Sequence, residues 1–276
     1  MSTATYGPGH SEQELDRLIQ QASFFGDLTE HVLVRAGLQP GMRVLDVGCG
    51  SGDVSFLAAR LVGGEGSVIG LDNAEAAVGT ARARAAAARL DNVHFVLGDL
   101  AEHRLDLRVD AVIGRLVLMY LPDAVAALAH LRTLLAPGGL MVFQEVDLIG
   151  ATSEPPCPLL EATVARVAET LRRVGGDVRT GLRLPRLFTA AGLPRPRMIM
   201  GARVESGPDS PMYDQIVGVT RTLLAPMEQT GVATASEVDL DTLDERLRAE
   251  VAAASATVVL PHFVGAWAQL PGGADA

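Results

Sequence analysis

The sequence of 276 residues predicts an α/β fold in which helices cover both faces of one doubly wound, seven-stranded, mostly parallel sheet. Two observations support this prediction. Between residues 42 and 147, apolar runs of strand length alternate with runs of helical periodicity, and the strands are nearly continuously apolar, as is typical of a parallel sheet covered on both faces. A glycine-rich turn also joins the first of these strands to the helix that follows it.

The chain begins with a region that we expect to be a helical lid, residues 1–37. Ser11 and Glu14 have the spacing of a capping box, and an amphipathic helix follows them. A second short helix is predicted over residues 28–37, because a glycine and a turn signal end it. The remainder, residues 38–276, is expected to be a single domain.

The strands of this domain are predicted in a fixed order. They are "RVLDVG", "SVIGLD", "VHFVLGD", "DAVIGR", "LMVFQEVD", "RMIMGARV" and "TVVLPHFVGAWAQL", of which the last pairs antiparallel beside the sixth. The helix after the second strand contains "RARAAAAR", which is expected to be an exposed helix face. Two helical insertions, residues 150–182 and 208–254, interrupt the second half of the domain.

Composition argues against several classes of function. With 23 Lys+Arg against 33 Asp+Glu, the net charge of -10 repels phosphate polymers, so no nucleic-acid partner is expected. No apolar run reaches the roughly 18 residues of a membrane helix, and the start lacks the features of a signal peptide, so we expect a cytoplasmic protein without a membrane partner. Two cysteines and six scattered histidines have no metal-ligand spacing, so no metal is expected.

The stretch "VLDVGCGSG" carries the strongest signal. Gly48, Gly50 and Gly52 allow a sharp turn and a close approach of backbone to ligand, and the next helix presents free amides to an electron-rich group. A nucleotide-type ligand fits this arrangement. Asp53 stands where the G-x-G-x-x-G dinucleotide fingerprint has its third glycine, and its carboxylate would repel a pyrophosphate. Together with Asp46 inside the strand, it favours a phosphate-free ligand with a cationic end, such as S-adenosylmethionine.

Acidic residues also follow the next two strands. Asp72 ends the second strand, where a carboxylate can accept hydrogen bonds from ribose hydroxyls. Asp99 follows the third strand and is placed to accept from an adenine amino group, with the amide of Leu100 beside it. Either aspartate alone is equally well explained as a helix N-cap. Because the glycine turn and both aspartates follow successive strands of one parallel sheet, we expect them to line a single ligand crevice.

In these motifs the sequence resembles the class I S-adenosylmethionine-dependent methyltransferases. The matching stretches cover roughly residues 42–147 and are "VLDVGCGSG", "VIGLD", "FVLGD", "DAVIGRLVLMYLPD" and "LLAPGGLMVFQE". The resemblance implies a Rossmann-like methyltransferase fold with both insertions covering the acceptor site. The sequence is also similar to actinobacterial enzymes of secondary metabolism, which implies antibiotic biosynthesis and a small-molecule acceptor. Some members of that branch methylate carbon, so C- and O-methylation both stay open.

The resemblance assigns a cofactor role to a defined set of residues. Gly48, Cys49 and Gly50 line the methionine part, Asp72 holds the ribose, Asp99 and Leu100 hold the adenine, and the backbone at Arg115 holds the amino group. Apart from the resemblance, Tyr6 precedes the first cap and is expected either to close over the cofactor or to belong to a disordered end. The whole predicted set is Asp46, Gly48, Cys49, Gly50, Gly52, Asp72, Asn73, Gly98, Asp99, Leu100, Arg115 and Tyr6.

Methyl transfer is an in-line displacement, so holding the nucleophile behind the methyl carbon provides most of the acceleration and no covalent residue is required. A positioned base would add roughly 10²–10⁴-fold where the acceptor must lose a proton. The candidates are His262 in the last strand, Glu145 near the carboxyl end of the fifth strand, and Tyr213 at the start of the second insertion. Each is also explained as a packing residue.

Five further residues are expected to contact the acceptor. They are Phe24, Phe25, Met119, Tyr120 and Gln144. Gln144 alternates with Glu145 along one strand, so one of the two is expected to face the pocket. A lid this apolar and short of basic residues predicts an uncharged aromatic or terpenoid-like acceptor of drug size. The amphipathic leading helix can pack on its own domain or exchange with a neighbour, so a homo-oligomer stays open.

Three alternatives compete with a small-molecule methyltransferase. The first is a relative of the same fold that binds S-adenosylmethionine but catalyses a cyclisation without methyl transfer. The second is a nicotinamide-dependent oxidoreductase, which Asp53 and the complete absence of lysine disfavour. The third is a non-catalytic binding module, which failure to bind the nucleoside would favour.

Overall fold

The computed structural model describes residues 12–100 and 108–272, with side chains from residue 24 onward. The helices are α1 (Glu12–Ala36), α2 (Asp53–Val62), α3 (Glu75–Ala88), α4 (Ala124–Arg132), α5 (Pro158–Arg173), α6 (Thr180–Ala190), α7 (Met212–Gln229), α8 (Ala235–Val238) and α9 (Leu240–Ala254). The strands are β1 (Arg43–Val47), β2 (Ser67–Asp72), β3 (Val93–Leu97), β4 (Val109–Arg115), β5 (Leu135–Asp147), β6 (Thr152–Glu154), β7 (Arg197–Gly201), β8 (Val204–Ser206), β9 (Thr257–Val259) and β10 (His262–Gln269).

A seven-stranded sheet forms the centre of the molecule, in the order β3-β2-β1-β4-β5-β10-β7. β10 runs antiparallel to β5 and β7, and the other neighbouring pairs are parallel. The predicted doubly wound, mostly parallel sheet is thus confirmed, including its antiparallel last strand. The strand order reverses between β1 and β4, and sheets of this kind bind ligands at the carboxyl ends of the strands beside that point.

Three elements differ from the prediction. One continuous helix, α1, replaces the two predicted leading helices. The loss of helix stability from a single interior glycine, Gly26, is smaller than the stabilisation that the helix gains by packing on the domain. The last predicted strand divides into β9 and β10 near Pro261, which has no amide to donate to a ladder. β9 then becomes the middle strand of a small antiparallel sheet with β6 and β8, which was not predicted.

Helices cover both faces of the central sheet. α1, α2 and α3 pack on one face, where Val44 of β1 is buried, and α4 and α6 pack on the other face, where Leu45 is buried. Because successive side chains of a strand point to opposite faces, both must be apolar. This explains the nearly continuous apolar runs in the sequence.

The helical insertions form a third apolar cluster at one edge of the sheet. α5, α7 and α9 pack together there and against Phe24 and Phe25 of α1. Glu250 of α9 accepts hydrogen bonds from the amides of Leu159 and Leu160 at 2.8 and 3.0 Å, which satisfies free donors at the start of α5. α5, α7 and α9 are called the cap below. No helix in the described parts of the chain has the length and apolarity needed to cross a bilayer.

Candidate active site

The glycine turn after β1 is built from three left-handed residues. Gly48, Gly50 and Gly52 have φ values of +62°, +53° and +90°. A Cβ at Gly48 would lie 2.5 Å from a methyl group of Val117, and a Cβ at Gly52 would lie 2.7 Å from the ring of Phe95. A Cβ at Gly50 would meet no atom within 4 Å. Two of the glycines are therefore required for packing, whereas Gly50 keeps the backbone open toward the space above the sheet.

Asp72 fixes this turn from the end of β2. Its Oδ2 accepts from the amide of Gly50 at 2.8 Å, and its Oδ1 accepts from the amide of Ala74 at 2.9 Å. The amide of Cys49 donates to the carbonyl of Leu71 at 3.1 Å. In a dinucleotide site, the backbone amides of such a turn bind the phosphates. Here the amides of Cys49 and Gly50 already donate to protein acceptors, so the turn favours a ligand without phosphate.

Arg84 of α3 supports the same turn from below. Its guanidinium pairs with Asp53 at 2.7 Å and donates to the carbonyl of Ser51 at 2.6 Å. Arg82 donates to the carbonyl of Phe95 at 2.8 and 3.1 Å. The prediction that "RARAAAAR" forms an exposed helix face holds for Arg82, whereas Arg84 is half-buried against the turn. Their acceptors come from distant parts of the chain, which the local pattern does not show.

A cavity of about 610 Å³ lies over the carboxyl ends of the strands, between the glycine turn and the cap. Most residues of the predicted cofactor set line it. These are Gly48, Cys49, Gly50, Asp72, Asn73, Gly98, Asp99, Leu100 and Arg115. Backbone turn, carboxylates and guanidinium thus surround one space, which is called the cofactor half of the cavity below.

Two members of that set are placed elsewhere, and a third is not among the described residues. Gly52 lies behind the turn against Phe95, and Tyr6 lies outside the described residues. Asp46 is only 1% exposed, accepts from the hydroxyl of Ser55 at 2.5 Å and does not line the cavity. Burial raises the pKa of Asp46 to about 7, although the Ser55 hydrogen bond and Arg115 lower it. Asp46 therefore lies beneath the turn and does not contact a ligand in the cavity.

Arg115, at the end of β4, lines the cofactor half and is held by α1. Its Nη1 donates to the hydroxyl oxygen of Thr29 at 3.0 Å, and the Thr29 hydroxyl donates to Oε1 of Gln144 at 2.8 Å. Burial lowers the pKa of Arg115, whereas Asp53 and Asp46 raise it. Gln144 is buried in this chain of hydrogen bonds and does not line the cavity, in contrast to the prediction that it contacts the acceptor.

None of the three predicted base candidates lines the cavity. The ring of His262 packs against Gly150, and the hydroxyl of fully buried Tyr213 donates to the carbonyl of Gly207 at 3.0 Å. Both residues were predicted to contact the ligand because His262 lies near a strand end and Tyr213 lies at the start of an insertion. In the structure, both side chains pack against other parts of the chain.

Glu145 is fully buried beneath the turn that follows β4. Its Oε1 accepts from the amides of Val117 and Leu118 at 2.9 and 2.8 Å, whereas its Oε2 has no hydrogen-bond partner among the described residues. Burial raises the pKa of Glu145 to about 7, although these amide hydrogen bonds lower it. Because Val117 lines the cavity and Glu145 does not, Glu145 holds the wall of the site instead of facing the ligand.

The other end of the cavity, called the acceptor half below, is formed by α1, the cap and the ends of β5 and β10. Of the predicted acceptor residues, Phe25, Met119 and Tyr120 line it, and the ring of Phe25 lies 4.4 Å from that of Phe263. Phe24 does not line it, because its ring packs under the guanidinium of Arg203 at 4.7 Å.

The sequence did not identify most of this lining. The missed residues are Val146, Leu148, Val164, Val167, Leu171, Gln215, Ile216, Val219, Leu223, Leu260, Pro261 and Phe263. On α5 and α7 they recur every three or four residues, so the periodicity does indicate a buried helix face. It does not indicate that this face borders a cavity. Asp123, which caps the start of α4, and His130 of α4 also line the cavity and were missed as well.

The residues of the cofactor half match S-adenosylmethionine in their chemistry. The open backbone at Gly50 admits a close ligand, Asp72 and Asp99 provide carboxylate acceptors, and the half-buried guanidinium of Arg115 has no charged partner in contact among the described residues. No group of three or more potential metal ligands occurs among the residues with described positions. The site therefore suits an organic ligand with hydroxyl, amino and carboxylate groups.

Comparison with known proteins agrees with this geometry. A family described as a methyltransferase domain matches residues 38–192, more than half of the chain. Aklanonic acid methyltransferase DauC of Streptomyces sp. (strain C5) is 39% identical over 37% of this chain and 47% of its own length. Nocamycin O-methyltransferase of Saccharothrix syringae is 36% identical over 50% of this chain and 46% of its own length. The match thus spans about half the length of these relatives.

Solved structures show the same fold. A phosphoethanolamine N-methyltransferase 2 of Haemonchus contortus, in complex with S-adenosylhomocysteine, aligns over 89% of this chain and 52% of its own with a TM-score of 0.56 and 18% identity. The cyclase SpnF aligns over 90% of this chain and 81% of its own with a TM-score of 0.50 and 20% identity. The family match, the glycine turn and the strand-end carboxylates lead to one conclusion: the chain belongs to the S-adenosylmethionine-dependent methyltransferases.

Proposed function

We propose that this enzyme transfers a methyl group to carbon or oxygen of a small, largely uncharged aromatic or terpenoid-like natural product. The observation that carries the proposal is the lining of the acceptor half. The described side chains of α1, α5, α7 and the ends of β5 and β10 that line it are all apolar apart from Gln215. Such a wall cannot compensate the loss of hydration of a charged acceptor, whereas it favours an apolar one.

When bound, S-adenosylmethionine would supply a sulfonium-bound methyl group that an aligned nucleophile attacks in line, with S-adenosylhomocysteine as the leaving group. The chain contributes position and the exclusion of water. The glycine turn, Asp72 and Asp99 hold the nucleoside at the strand ends, and α5 and α7 cover the acceptor half. Most of the acceleration then comes from the alignment of the two reactants in one dry cavity.

The described lining residues on α1, α5, α7 and the ends of β5 and β10 include no histidine and no carboxylate, whereas Tyr120, Asp123 and His130 line the cavity from the segment around α4. The predicted bases His262, Glu145 and Tyr213 have other partners. We therefore propose an acceptor that is already nucleophilic, such as an electron-rich ring carbon or a phenol or enol oxygen. For such groups, positioning suffices without a strong base from the protein.

Gln215 is the polar group of the α7 wall. It shares a helical stripe with Val219 and Leu223, four and eight residues further on, and all three line the cavity. No hydrogen-bond partner of its side-chain amide occurs within the described part of the chain. Because apolar pockets orient ligands through a few polar groups, we propose that Gln215 binds a carbonyl or hydroxyl oxygen of the acceptor.

The location and partners follow from other observations. Cys49 and Cys157 are buried, unpaired thiols, which suits a reducing compartment, so we propose a cytoplasmic enzyme. The net charge of -10 disfavours a nucleic-acid substrate. We propose antibiotic biosynthesis as its setting, on the basis of similarity to enzymes named for aklanonic acid and nocamycin.

Incubation of the protein with isotopically labelled S-adenosylmethionine and an actinobacterial metabolite extract tests the proposal. Mass spectrometry should find a compound that gains one labelled methyl group with the wild type but not with Asp72→Ala. A compound converted without mass gain would indicate a cyclase instead. Nucleoside binding without any conversion would indicate a binding module and would contradict the proposal.

A further inference from the structure

One edge of the molecule, formed by α6 and β7, is basic in a chain with a net charge of -10. Residues 178–204, which contain both elements, include six arginines and no acidic residue. Arg186 of α6 and Arg195, which precedes β7, are exposed, and neither forms an ion pair or a side-chain hydrogen bond with another described residue. The positive charge of this edge is therefore available to a partner.

The same edge exposes large apolar side chains. Met198 and Met200 of β7 are 38% and 48% exposed, and Leu182 of α6 is 43% exposed. β7 is the last strand of the seven-stranded sheet, so one side of its backbone has no neighbouring strand among the described residues. Exposed strand edges of this kind can associate with other chains.

The two methionines lie on the face of the sheet that carries α6. Met198 and Met200 are opposite Ala266 and Val264 of β10, and side chains opposite each other on neighbouring strands lie on the same face. Ala266 and Val264 pack in one apolar cluster with the buried side of α6. α6 and the exposed methionines are therefore neighbours on one surface.

This surface is called the α6–β7 edge below and consists of Leu182, Arg186, Arg195, Met198 and Met200. Methionine and arginine are enriched in protein interfaces relative to the rest of protein surfaces. A group of exposed apolar side chains with a charged rim is also typical of a contact surface. The composition of the edge thus indicates a binding partner that combines negative charge with apolar side chains.

We propose that the α6–β7 edge binds another protein through an acidic surface with an apolar centre. Carboxylates of that partner would pair with Arg186 and Arg195, and its apolar side chains would cover Leu182, Met198 and Met200. Arginine suits this role because its planar guanidinium binds a carboxylate through two parallel hydrogen bonds. The inference goes beyond the proposed methyl transfer and does not depend on the identity of the acceptor.

Two other occupants match the charge of the edge less well. A second copy related by two-fold symmetry would bring the same arginines against each other, because such an interface uses the same surface of both subunits. A bilayer with anionic lipids would attract the arginines. It would also extend beyond the edge and face the acidic remainder of the chain, which it repels. A small acidic protein can cover the edge alone.

Peptide binding to the full chain tests the proposal. The probe is a synthetic helical peptide of about 20 residues, long enough for a stable helix, with a row of glutamates beside leucines. A second peptide has glutamine in place of every glutamate. In fluorescence anisotropy, the wild type should bind the glutamate peptide at least about tenfold more tightly than the glutamine peptide. The difference should shrink at high salt, because salt screens exposed charges.

Two variants of the edge separate the contribution of charge from that of apolar contact. Arg186→Glu/Arg195→Glu should bind the glutamate peptide about tenfold or more weakly than the wild type, because attraction becomes repulsion. It should bind the glutamine peptide with nearly unchanged affinity. Met198→Ser/Met200→Ser should weaken the binding of both peptides by about the same factor, because the apolar contact is common to both.

Arg35→Glu/Arg60→Glu is the matched control. It makes the same change of charge at exposed arginines of α1 and α2, which pack on the opposite face of the sheet, and should bind both peptides like the wild type. Thermal unfolding checks the fold of each variant. The affinity for S-adenosylhomocysteine should be the same in all of them, so a failure of this proposal is distinct from a failure of the proposed function.

Four results would overturn the proposal. Equal affinity of the wild type for the two peptides would show that the edge does not select negative charge. An equal loss in Arg35→Glu/Arg60→Glu would show that the peptide responds only to net charge. Sedimentation with vesicles of phosphatidylglycerol and phosphatidylcholine, abolished in Arg186→Glu/Arg195→Glu, would indicate a lipid surface instead. A dimer in analytical ultracentrifugation that dissociates on substitution of the two methionines would indicate a second copy.

Discussion

The amide of Gly50 donates a hydrogen bond of 2.8 Å to Oδ2 of Asp72, so the glycine turn after β1 is bonded to the end of β2. The other oxygen, Oδ1, accepts from the amide of Ala74, two residues further on. One carboxylate thus organises two backbone segments of the cofactor half. It also occupies a turn amide that a phosphate would otherwise bind, which separates this site from a dinucleotide site of similar strand order.

Replacement of Asp72 by alanine should therefore weaken nucleoside binding without unfolding the protein. Loss of hydrogen bonds to a charged group costs about 1.5–3 kcal/mol each, so the Kd for S-adenosylhomocysteine should rise roughly tenfold to a hundredfold. Asp110→Ala is a suitable control, because Asp110 accepts from the amide of Arg43 at 2.8 Å at the opposite end of the sheet. It should lower stability and leave affinity unchanged. An unchanged Kd for Asp72→Ala, measured by calorimetry, would refute the assignment.

Gly48 should be sensitive to substitution for a different reason. A Cβ there would lie 2.5 Å from Val117, and the residue has a left-handed φ of +62°. Gly48→Ala should lose about 1–3 kcal/mol through overpacking, plus about 1–2 kcal/mol from backbone strain. Gly50→Ala, whose Cβ meets no atom within 4 Å, should lose only the strain.

The double variant Gly48→Ala/Val117→Ala separates the loss of stability from overpacking from the loss from backbone strain. It should regain the stability lost by overpacking and keep the loss from strain. Urea unfolding of the wild type, the two single variants and the double variant measures this in a double-mutant cycle. Equal destabilisation of Gly48→Ala and Gly50→Ala would show that the approach of Val117 does not matter. Additive effects of the two substitutions at residues 48 and 117 would show the same.

The cofactor half was largely predictable from the sequence because its determinants are local. Gly50 and Asp72 stand at the ends of strands whose order follows from a parallel sheet, so their meeting point follows too. The inward or outward direction of a side chain was not predictable. Glu145 and His262 both stand near strand ends, but β10 inserts between β5 and β7, and their side chains face other partners than the cavity.

The acceptor half was less predictable because it depends on contacts between distant segments. The spacing of Val219 and Leu223 indicates a buried face of α7. Periodicity does not state what a face packs against, so it could not distinguish a helix that borders a cavity from one in a solid core. The small sheet of β6, β9 and β8 was missed because its strands have only three residues each.

Glu145 should make the stability of the protein depend on pH. Burial raises its pKa from 4.5 to about 7 in the folded state. Between these values the folded protein keeps the proton and the unfolded chain releases it, so the stabilisation is complete below about pH 4.5 and is lost as pH rises through about 7. A shift of this size corresponds to roughly 3.4 kcal/mol.

Glu145→Gln should remove this dependence, since an amide does not ionise and its oxygen can still accept from the amides of Val117 and Leu118. The free energy of urea unfolding should fall less steeply from pH 5 to pH 8 for Glu145→Gln than for the wild type. A remaining slope is expected, because burial raises the pKa of Asp46 to about 7 as well. Parallel curves for the two proteins would show that Glu145 ionises normally in the folded state.

The two halves of the cavity should respond separately to a change in the cap. Val219 lines the acceptor half, and Val219→Trp would fill space there without contact to the glycine turn. Methyl transfer to the acceptor found in the metabolite screen should fall by about a hundredfold or more, because small displacements of a reactant have effects of that size. The affinity for S-adenosylhomocysteine should change by less than about twofold, which corresponds to well under 1 kcal/mol.

Val174→Trp provides the control, because Val174 follows α5 and is 38% exposed. It adds the same side chain to the same region outside the cavity, so transfer and binding should both stay near the wild-type values. Thermal unfolding of both variants checks for overpacking, which costs about 1–3 kcal/mol in a packed interior. A full rate for Val219→Trp would place the acceptor elsewhere, and a parallel loss of nucleoside affinity would show that α7 borders the cofactor directly.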